Sequence, residues 1–334
     1  MRPIITRIML AVVLLTASMP IVAQNNLRSV LTNNMSSIGL GRVITEDYKM
    51  SSINSVILSD GYLTLDYDIK HYYGGGRYTR SEEILHHVVK INMKTAVITK
   101  KYDGSSYRIE ITSADNVSDS YQYSSRSNYY SFYCISSYVA DKVFGELTKI
   151  CEPYEPSYSF DETGLRSCFS DLQKLFSEYS VKSDEVQKTN YHALTNNIRL
   201  SLSNQTLTIT FNDGFERGYS SSALVTGKKE LLIPLQNANF TYGINYSYSN
   251  DCVLQITADD GMDYTAGAKK NKITSKSFYA DKLVINDVLK HLVVLKKQVI
   301  GLNYTGSLGN QTKPTSSKSA GTQKNTSISN KYEL

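Results

Sequence analysis

Tryptophan is absent from the 334-residue sequence, and tyrosine, with 26 copies, is the commonest aromatic residue. Tyrosine is amphipathic and suits half-exposed strands, so this balance favours β-structure with a partly exposed face. Beyond the N-terminus, no segment has the long apolar run of a membrane-spanning helix. We therefore predict no transmembrane segment in the mature chain.

Common catalytic motifs are also missing. The sequence has no G-x-S-x-G, no S-x-x-K accompanied by S-D-N and K-T-G, no H-E-x-x-H and no C-x-x-C. His86 and His87 are neighbours on a predicted strand and point to opposite faces, although His71 could meet one of them across a hairpin. We predict no catalytic residue, no cofactor and no metal site.

The formal net charge of +5 resides at the two ends of the chain. Arg2 and Arg7 contribute two positive charges, and the tail from Tyr304 contributes a net three. The body between them is neutral and has no electrostatic reason to bind a phosphate backbone. We therefore predict no nucleic-acid partner.

The N-terminus is typical of an export signal. Arg2 and Arg7 precede the apolar run IMLAVVLLTA, which is too short for a membrane span, and SMPIVAQNN offers a cleavage site after Ala23. We predict a signal peptide at 1–23 and a protein that is periplasmic, extracellular or bound at the cell surface. A retained N-terminal anchor is the alternative.

Four cysteines follow the predicted signal: Cys134, Cys151, Cys168 and Cys252. In an oxidising compartment some could pair, and four cysteines allow three pairings among which the sequence cannot choose. Among the pairings we prefer Cys151–Cys168, which would tie the end of one repeat to the first helix of the next. Over any pairing we favour the interpretation that these cysteines are small buried hydrophobic residues.

A short phrase occurs twice, as SYVADKV at 137–143 and as SFYADKL at 277–283. Four further matches precede it in the same order, and five ordered matches are hard to attribute to chance. The matched segments are NNLRSVL with TGLRSCF, SVILSDGYLTLDY with IRLSLSNQTLTITF, HVVKINMKTAVIT with ELLIPLQNANFTY, and YRIEITSAD with DCVLQITADD. The sequence therefore predicts two tandem copies of one unit.

The matches also indicate where the copies begin and end. We expect repeat units at 26–152 and 163–303, joined by a linker at 153–162 that contains proline and turn residues. After Asn303 the chain has almost no apolar residues, and such a segment cannot offset the entropy cost of ordering. We therefore predict a disordered tail at 304–334.

Each copy is predicted to contain a short N-terminal helix, about six antiparallel strands and a C-terminal helix. Asp60-Gly61 favours a tight hairpin turn, because both residues readily adopt positive φ. We interpret the repeated phrase as the start of the C-terminal helix. Ser137 and Ser277 would then lie at its N-terminal region, and Asp141 and Asp281 in its first turn.

The C-terminal helix of each copy is predicted to bury one apolar face against the sheet. The residues at helical spacing are Ala140, Val143, Phe144, Leu147 and Ile150 in the first copy, and Ala280, Leu283, Val284, Val288, Leu292 and Leu295 in the second.

This α+β unit, a bent antiparallel sheet capped by a C-terminal helix, resembles the pleckstrin-homology-like fold in the order of its elements. The resemblance covers about 100 residues of each copy and implies, by analogy of fold, binding of peptides, proteins or lipid headgroups. A helix-grip fold is the competing interpretation. It predicts an apolar-ligand cavity between sheet and helix, lined by residues such as Phe144 and Leu283.

Three stretches supply candidate recognition residues. HYYGGGR is a predicted flexible hairpin loop, YQYSSRSNYYSFY is rich in tyrosine and serine, and KKNKITSK is a predicted basic loop. The candidates are Tyr72, Tyr73, Gly74, Gly75, Gly76, Arg77, Tyr129, Tyr130, Lys269, Lys270, Lys272 and Lys276. For each stretch the alternative is an ordinary solvated loop or edge strand.

Three hypotheses for function follow. The first is an exported, non-enzymatic interaction protein that binds a protein, glycan or lipid ligand. The second is a carrier of an apolar ligand in a helix-grip cavity. The third is a hydrolase built from scattered Asp, His and Tyr residues, which would depend on His86 and His87.

Overall fold

A computed structural model describes residues 21–45, 47–73, 81–120, 127–187, 192–220, 224–243 and 251–309. The chain divides into two compact units, Met1–Glu155 and Pro156–Leu334, which we call unit 1 and unit 2. Most of the described secondary structure is antiparallel sheet with a few helices, so the protein is of the α+β class. The boundary between the units falls inside the stretch 153–162.

In the described part of unit 1, the strands lie between a first helix and a last long helix. Its described elements, in chain order, are α1 (21–33), β1 (Ile38–Leu40), β2 (Tyr48–Ser59), β3 (Tyr62–Tyr73), β4 (Ser81–Asn92), β5 (Val97–Tyr102), β6 (Tyr107–Thr112), β7 (Ser118–Asp119), β8 (Tyr129–Cys134) and α2 (Ser137–Cys151).

The strands of unit 1 form two antiparallel sheets, in the orders β2–β3–β4–β7 and β1–β8–β6–β5. The β2–β3 hairpin turns at Asp60 and Gly61, where φ is 53° and 79°, so the predicted tight turn is confirmed. Both helices and the inward faces of both sheets share one apolar core, in which Leu27, Phe132 and Leu147 are fully buried.

Unit 2 also starts with a helix, and its last described element is a short strand. Its elements are α3 (Glu162–Glu178), β9 (Lys182–Ser183), α4 (Asp184–Gln187), β10 (Ala193–Ser203), β11 (Thr206–Phe215), β12 (Gly227–Pro234), β13 (Ala238–Tyr242), β14 (Asp251–Ala266), β15 (Lys269–Asp281), α5 (Lys282–Gly301) and β16 (Ser307–Leu308).

One continuous sheet runs through unit 2 in the order β16–β10–β11–β12–β14–β15–β9, and β13 also pairs with β14. A register shift between Thr257 and Met262 divides β14, so that its first half pairs with β13 and its second half with β12. Such irregularities bend a strand and allow it to serve two neighbours. The β10–β11 hairpin turns at Asn204 and Gln205, which both have positive φ.

The repeated phrase does not start a helix in unit 2. SYVADKV lies in α2, capped by Ser136, but the first five residues of SFYADKL continue β15. In β15 the alternate residues Phe278 and Ala280 point into the core, a period of two that a helix does not have. The predicted helical placement of Ser277 is therefore wrong.

The predicted positions of the two aspartates and of one leucine also need correction. Asp281 is the N-cap of α5, where its side chain accepts a hydrogen bond from the Leu283 backbone N–H. Asp141 lies beyond the first turn of α2, which contains no acidic residue. Leu283 is 44% exposed, because α5 starts later than predicted and its buried face begins at Val284.

Residues just outside the predicted second repeat, 163–303, make specific contacts within unit 2 where the sequence predicts linker and tail. Tyr158 donates a hydrogen bond to Asp171 (2.6 Å), and the Ser159 carbonyl accepts one from Gln298 (3.0 Å). The predicted disordered tail starts too early, since β16 pairs with the end of β10 and buries Leu308. Residues 310–334 lie outside the described residues.

The predicted signal at 1–23 falls largely outside the described residues, which begin at residue 21. Ala23, the residue before the predicted cleavage site, is part of α1 and is buried in the core of unit 1. In the part of the chain that the structure describes, none of the helices has the length and apolar character needed to cross a membrane.

None of the four cysteines, all of which lie in the described residues, is in a disulfide, so the preferred Cys151–Cys168 pair is not formed. Cys134, Cys151 and Cys168 are buried, and burial raises the pKa of the Cys134 and Cys168 thiols to about 12. These two thiols therefore stay protonated and behave as small apolar side chains.

Candidate functional site

Inside unit 2, three hydrogen-bond donors from three strands converge on one carboxylate. Lys229 of β12 contacts Oε2 of Glu185, and Nζ of Lys276 of β15 lies 2.9 Å from Oε1. The hydroxyl of Tyr264, on β14, lies 2.9 and 3.1 Å from the two oxygens. We call Lys229, Tyr264 and Lys276 the carboxylate pocket.

Two more carboxylates complete the charge balance around the carboxylate pocket. Asp213 of β11 lies 2.8 Å from Lys229 and accepts hydrogen bonds from the hydroxyls of Ser183 (2.7 Å) and Thr195 (2.6 Å). Asp184 lies 2.6 Å from Lys276. Together with the pocket, the residues Asp184, Glu185 and Asp213 form a group that we call the ion cluster.

The alternation of the strands places these charges inside the unit. Lys229 and Lys276 share the inward faces of their strands with apolar residues such as Leu231 and Phe278, and are only 1% and 3% exposed. Asp213 follows Ile209 and Phe211 on the inward face of β11 and is 2% exposed. Buried charges are tolerated only when they are paired and hydrogen-bonded, which is the case for all three.

The contacts of the ion cluster hold Glu185 and Lys229 in their charged forms at neutral pH. Burial alone would raise the pKa of Glu185, but the hydrogen bond from Lys229 and the charge of Lys276 outweigh it and lower this pKa to about 2. Burial would likewise lower the pKa of Lys229, but hydrogen bonds to Asp213 and Glu185 reverse the direction and raise it. A lysine held in its charged form is not a nucleophile, so the cluster is suited to binding or structure.

Unit 1 contains a different group of interacting polar side chains. Nδ1 of His87 on β4 lies 3.1 Å from both carboxylate oxygens of Asp119, and the Tyr130 hydroxyl donates to that of Tyr67 (2.8 Å). The Tyr67 ring stacks on His87 with centroids 5.1 Å apart. Burial raises the pKa of both tyrosines, so both hydroxyls stay protonated.

A second polar group of unit 1 lies on the solvent face of β2, β3 and β4. Nδ1 of His86 lies 2.7 Å from Asp68 and 3.8 Å from Asp66. Ser52 donates to Asp68 (2.7 Å) and Asn54 to Asp66 (2.9 Å). The hydrogen bond to Asp68 raises the pKa of His86, and the bond to His86 lowers the pKa of Asp68.

We expect Asp68→Asn to lower the pKa of His86 toward its ordinary value, as measured by an NMR titration of the imidazole protons. The raised pKa means that the contact stabilises the fold at pH values below the ordinary histidine pKa and loses that effect as the pH rises through the raised value. Glu83→Gln, an exposed change on the same strand, serves as the control. An unchanged His86 pKa in Asp68→Asn would contradict the assigned pair.

The solvent face of β6 and β8 carries an arginine between two tyrosines. The Arg108 guanidinium lies 5.8 Å from the centroid of the Tyr129 ring and 5.7 Å from that of Tyr133. It also contacts Glu110 (2.6 Å) and donates to the hydroxyl of Ser131 (3.1 Å). These contacts hold the guanidinium plane and both rings in place, with Tyr129 40% exposed. We call Arg108, Tyr129 and Tyr133 the tyrosine–arginine surface.

The structure separates the candidate recognition residues into three groups. Tyr72 and Tyr73 lie at the end of β3, where Tyr73 is exposed, and Gly74, Gly75, Gly76 and Arg77 lie outside the described residues. Tyr129 is exposed, but Tyr130 points into the core and is not a surface residue. Lys269, Lys270 and Lys272 are exposed on β15, so the predicted basic loop is a strand, and Lys276 is buried in the carboxylate pocket.

The positions of Phe144, Leu283 and the histidines give little support to the apolar-ligand carrier or to the hydrolase. The helix-grip cavity was predicted to be lined by Phe144 and Leu283, but Leu283 faces outward and Phe144 packs against the core of unit 1. His86 and His87 lie on opposite faces of β4 with different partners, as the alternation predicts. His71 meets neither of them and stacks on Tyr48.

The ion cluster was missed by the sequence analysis, although a signal for it is present. In GKKELLIP the alternate residues Lys229, Leu231 and Ile233 form one face, so a lysine occupies an inward position of a predicted strand. An inward lysine requires a buried acidic partner. Searching the neighbouring strand for an inward acid would have identified Asp213.

Comparison with protein-family models and with curated proteins gave no match. Among the described residues, no three His, Cys, Asp or Glu side chains come together as a group that could hold a metal ion.

Proposed function

We propose that this protein is an exported, non-enzymatic binding protein built from two copies of a pleckstrin-homology-like unit. The tyrosine–arginine surface of unit 1 is the observation that carries the proposal for binding. Export is supported by the N-terminal sequence, in which two arginines and a short apolar run precede a small-residue cleavage site.

The strand orders of the two units support the duplication. In unit 1 they are β1–β8–β6–β5 and β2–β3–β4–β7, and in unit 2 β9–β15–β14–β13 and β10–β11–β12–β14. Each unit begins with a helix that contains Leu-Arg-Ser and follows its last long strand with another helix. Two hairpins also turn at matching places, after Ser59 and after Ser203.

The strand pairings support a different alignment of the two copies around the last strand, in which β8 is matched with β15. Phe132 of β8 pairs with β1 and β6, and Phe278 of β15 pairs with β9 and β14. This pairing aligns SFYC at 131–134 with SFYA at 277–280, each near the end of a strand that precedes a helix. The element order of the pleckstrin-homology-like fold then applies equally to both copies.

The chemistry of the tyrosine–arginine surface is that of a recognition surface. Tyrosine and arginine are enriched at the centres of protein interfaces, because each combines a large contact area with polar groups. The contacts of Arg108 with Glu110 and Ser131 fix its orientation before binding, which reduces the entropy lost when a ligand binds. A surface made of two tyrosine rings and a guanidinium group is suited to contact with a peptide, a protein or the apolar face of a sugar ring.

A thermal-shift screen of the purified chain tests this proposal, with a panel of glycans, peptidoglycan fragments, phospholipids, fatty acids and peptides. Binding to the folded state alone stabilises it by about 2.7 kcal/mol at a hundredfold excess over Kd, so a genuine ligand raises the melting temperature. We expect the double change Arg108→Ala and Tyr129→Ala to remove the shift while the chain remains folded.

The matched control is Tyr138→Ala together with Arg166→Ala, because Tyr138 and Arg166 are also exposed and the contacts described above for the tyrosine–arginine surface involve neither of them. The control should keep the full shift. If the Arg108 and Tyr129 variant also keeps it, recognition lies elsewhere and the assigned surface is wrong.

A further inference from the structure

The carboxylate pocket of unit 2 has the geometry of a receptor for a carboxylate group. Its three donors stand on three strands of one sheet, so the backbone fixes their spacing independently of the group that they bind. The carboxylate of Glu185 occupies the pocket. Lys229 contacts one of its oxygens, Lys276 contacts the other, and the Tyr264 hydroxyl lies within hydrogen-bond distance of both. Converging charged donors of this kind make short, strong hydrogen bonds to a carboxylate.

The group that fills the pocket comes from a different kind of element. Glu185 belongs to α4, a helix of four residues between β9 and β10, and its side chain is 37% exposed. The donors are therefore rigid and buried, whereas the acceptor is carried by a short surface segment. Four residues are too few for a helix that is stable by itself, so its contacts hold α4 in place.

The residues on either side of Glu185 add to its fit. Asp184 lies 2.6 Å from Lys276. Val186 is buried in a small apolar cluster with Ala193 and Leu224, against which Phe215 packs. The occupied site thus recognises three consecutive residues, two acidic and one aliphatic, through two lysines and an apolar cluster.

Unit 1 does not repeat this arrangement. His87 lies at the position of Lys229 and Tyr130 at the position of Lys276, as the strand pairings show. The described residues of the connection between β1 and β2 include both Arg42 and Asp47, whereas the connection after β9 carries the adjacent acids Asp184 and Glu185 of α4. The pocket is a specialisation of unit 2 and is not needed to form the shared fold.

We propose that the carboxylate pocket is a binding site for an acidic peptide segment of a partner protein, with an aspartate or glutamate followed by an aliphatic residue. Residues 184–186 occupy it as an internal competitor. The partner segment displaces α4, places its carboxylate between Lys229 and Lys276, and inserts its aliphatic side chain beside Ala193 and Leu224. This site lies in unit 2 and goes beyond the binding proposed for the tyrosine–arginine surface.

The exchange leaves one buried cation of the pocket in need of a new partner. When α4 leaves, Lys229 keeps its contact with Asp213, and Lys276 is the cation that needs a new partner. An uncompensated buried ammonium favours entry of an anion over an empty pocket. Lys276 is therefore the residue on which binding of the external segment depends most.

The test uses the purified full chain and the peptide acetyl-Ser-Asp-Glu-Val-Gln-amide, which copies residues 183–187, with binding measured by calorimetry. Removing the internal competitor with Glu185→Ala should tighten binding about tenfold or more, because a tethered competitor acts at a high effective concentration. In that background Lys276→Met should abolish binding. Lys269→Met, on an exposed lysine of the same strand, should leave binding unchanged.

Equal affinity of the unaltered chain and the Glu185→Ala variant would overturn the proposal, as would binding that survives Lys276→Met. Near-UV circular dichroism checks that each variant is folded. If Glu185→Ala is unfolded, Glu185→Gln removes the charge but keeps an acceptor, and the same comparison applies to it. The Arg108 and Tyr129 variant should bind this peptide normally, which separates this result from a failure of the tyrosine–arginine surface.

Discussion

Lys229→Met should lower the free energy of unfolding by about 3–5 kcal/mol, the cost of breaking a buried ion pair from one side. The change leaves the Asp213 carboxylate inside unit 2 with hydrogen bonds from Ser183 and Thr195 but without a cation. Methionine has nearly the length of the lysine stem, so the loss of packing is small. The loss of the charge therefore dominates, and chemical denaturation of the purified chain measures it.

Unit 1 suggests the compensating change. Ile69 follows Leu65 by four residues on β3, as Asp213 follows Ile209 on β11, and Ile69 is buried in the core. Adding Asp213→Ile to Lys229→Met removes both charges and should recover most of the lost stability, because an apolar pair of similar size often replaces a buried ion pair at little cost. In the double variant the Ser183 backbone N–H still donates a hydrogen bond to the Thr195 hydroxyl oxygen, so these two residues stay in contact.

Two results would contradict this interpretation. If the double variant is as unstable as Lys229→Met, packing of the lysine stem and not charge pairing accounts for the loss. If Lys272→Met, a change at an exposed lysine, costs as much as Lys229→Met, the effect is not specific to burial. Exposed substitutions usually change stability by about 0.5 kcal/mol or less.

Two local features were predicted correctly from local signals in the sequence. Asp60-Gly61 predicted a turn with two positive φ angles, and the opposite faces of His86 and His87 followed from a period of two. These features depend on neighbours in the chain. The start of α5 depends instead on how far β15 continues to pair with β14, and SFYADK has suitable residues for either a strand or a helix.

The candidate site was harder to predict because its partners are far apart in the sequence. Glu185 and Lys276 are 91 residues apart, and their contact depends on the order of strands in the sheet. Whether Lys276 points inward depends on the register in which β15 pairs with β14. That register shifts at the irregularity between Thr257 and Met262 in β14. The sequence predicted that Tyr129 is exposed but not that it pairs with Arg108, which lies on a neighbouring strand.

Phe278→Ala should also lower the free energy of unfolding by about 3–5 kcal/mol, the range for large aromatic side chains removed from a core. The Phe278 side chain is fully buried, and its ring meets those of Phe176 and Phe211 edge-on, with centroids 5.9 and 5.6 Å apart. These rings come from α3, β11 and β15, so no single side chain can move into the space without disturbing two other elements. Denaturation of the purified chain again measures the effect.

Phe132→Ala makes the matched test in unit 1, because Phe132 is fully buried between β1 and β6 and meets the Tyr130 ring edge-on at 5.5 Å. If the two phenylalanines occupy the same place in two copies of one unit, the two losses should be similar. Tyr279→Ala, a half-exposed change next to Phe278, should cost much less. A loss below about 1 kcal/mol for either phenylalanine would contradict this prediction. It would mean that the core relaxes to fill the cavity, although close packing opposes such relaxation.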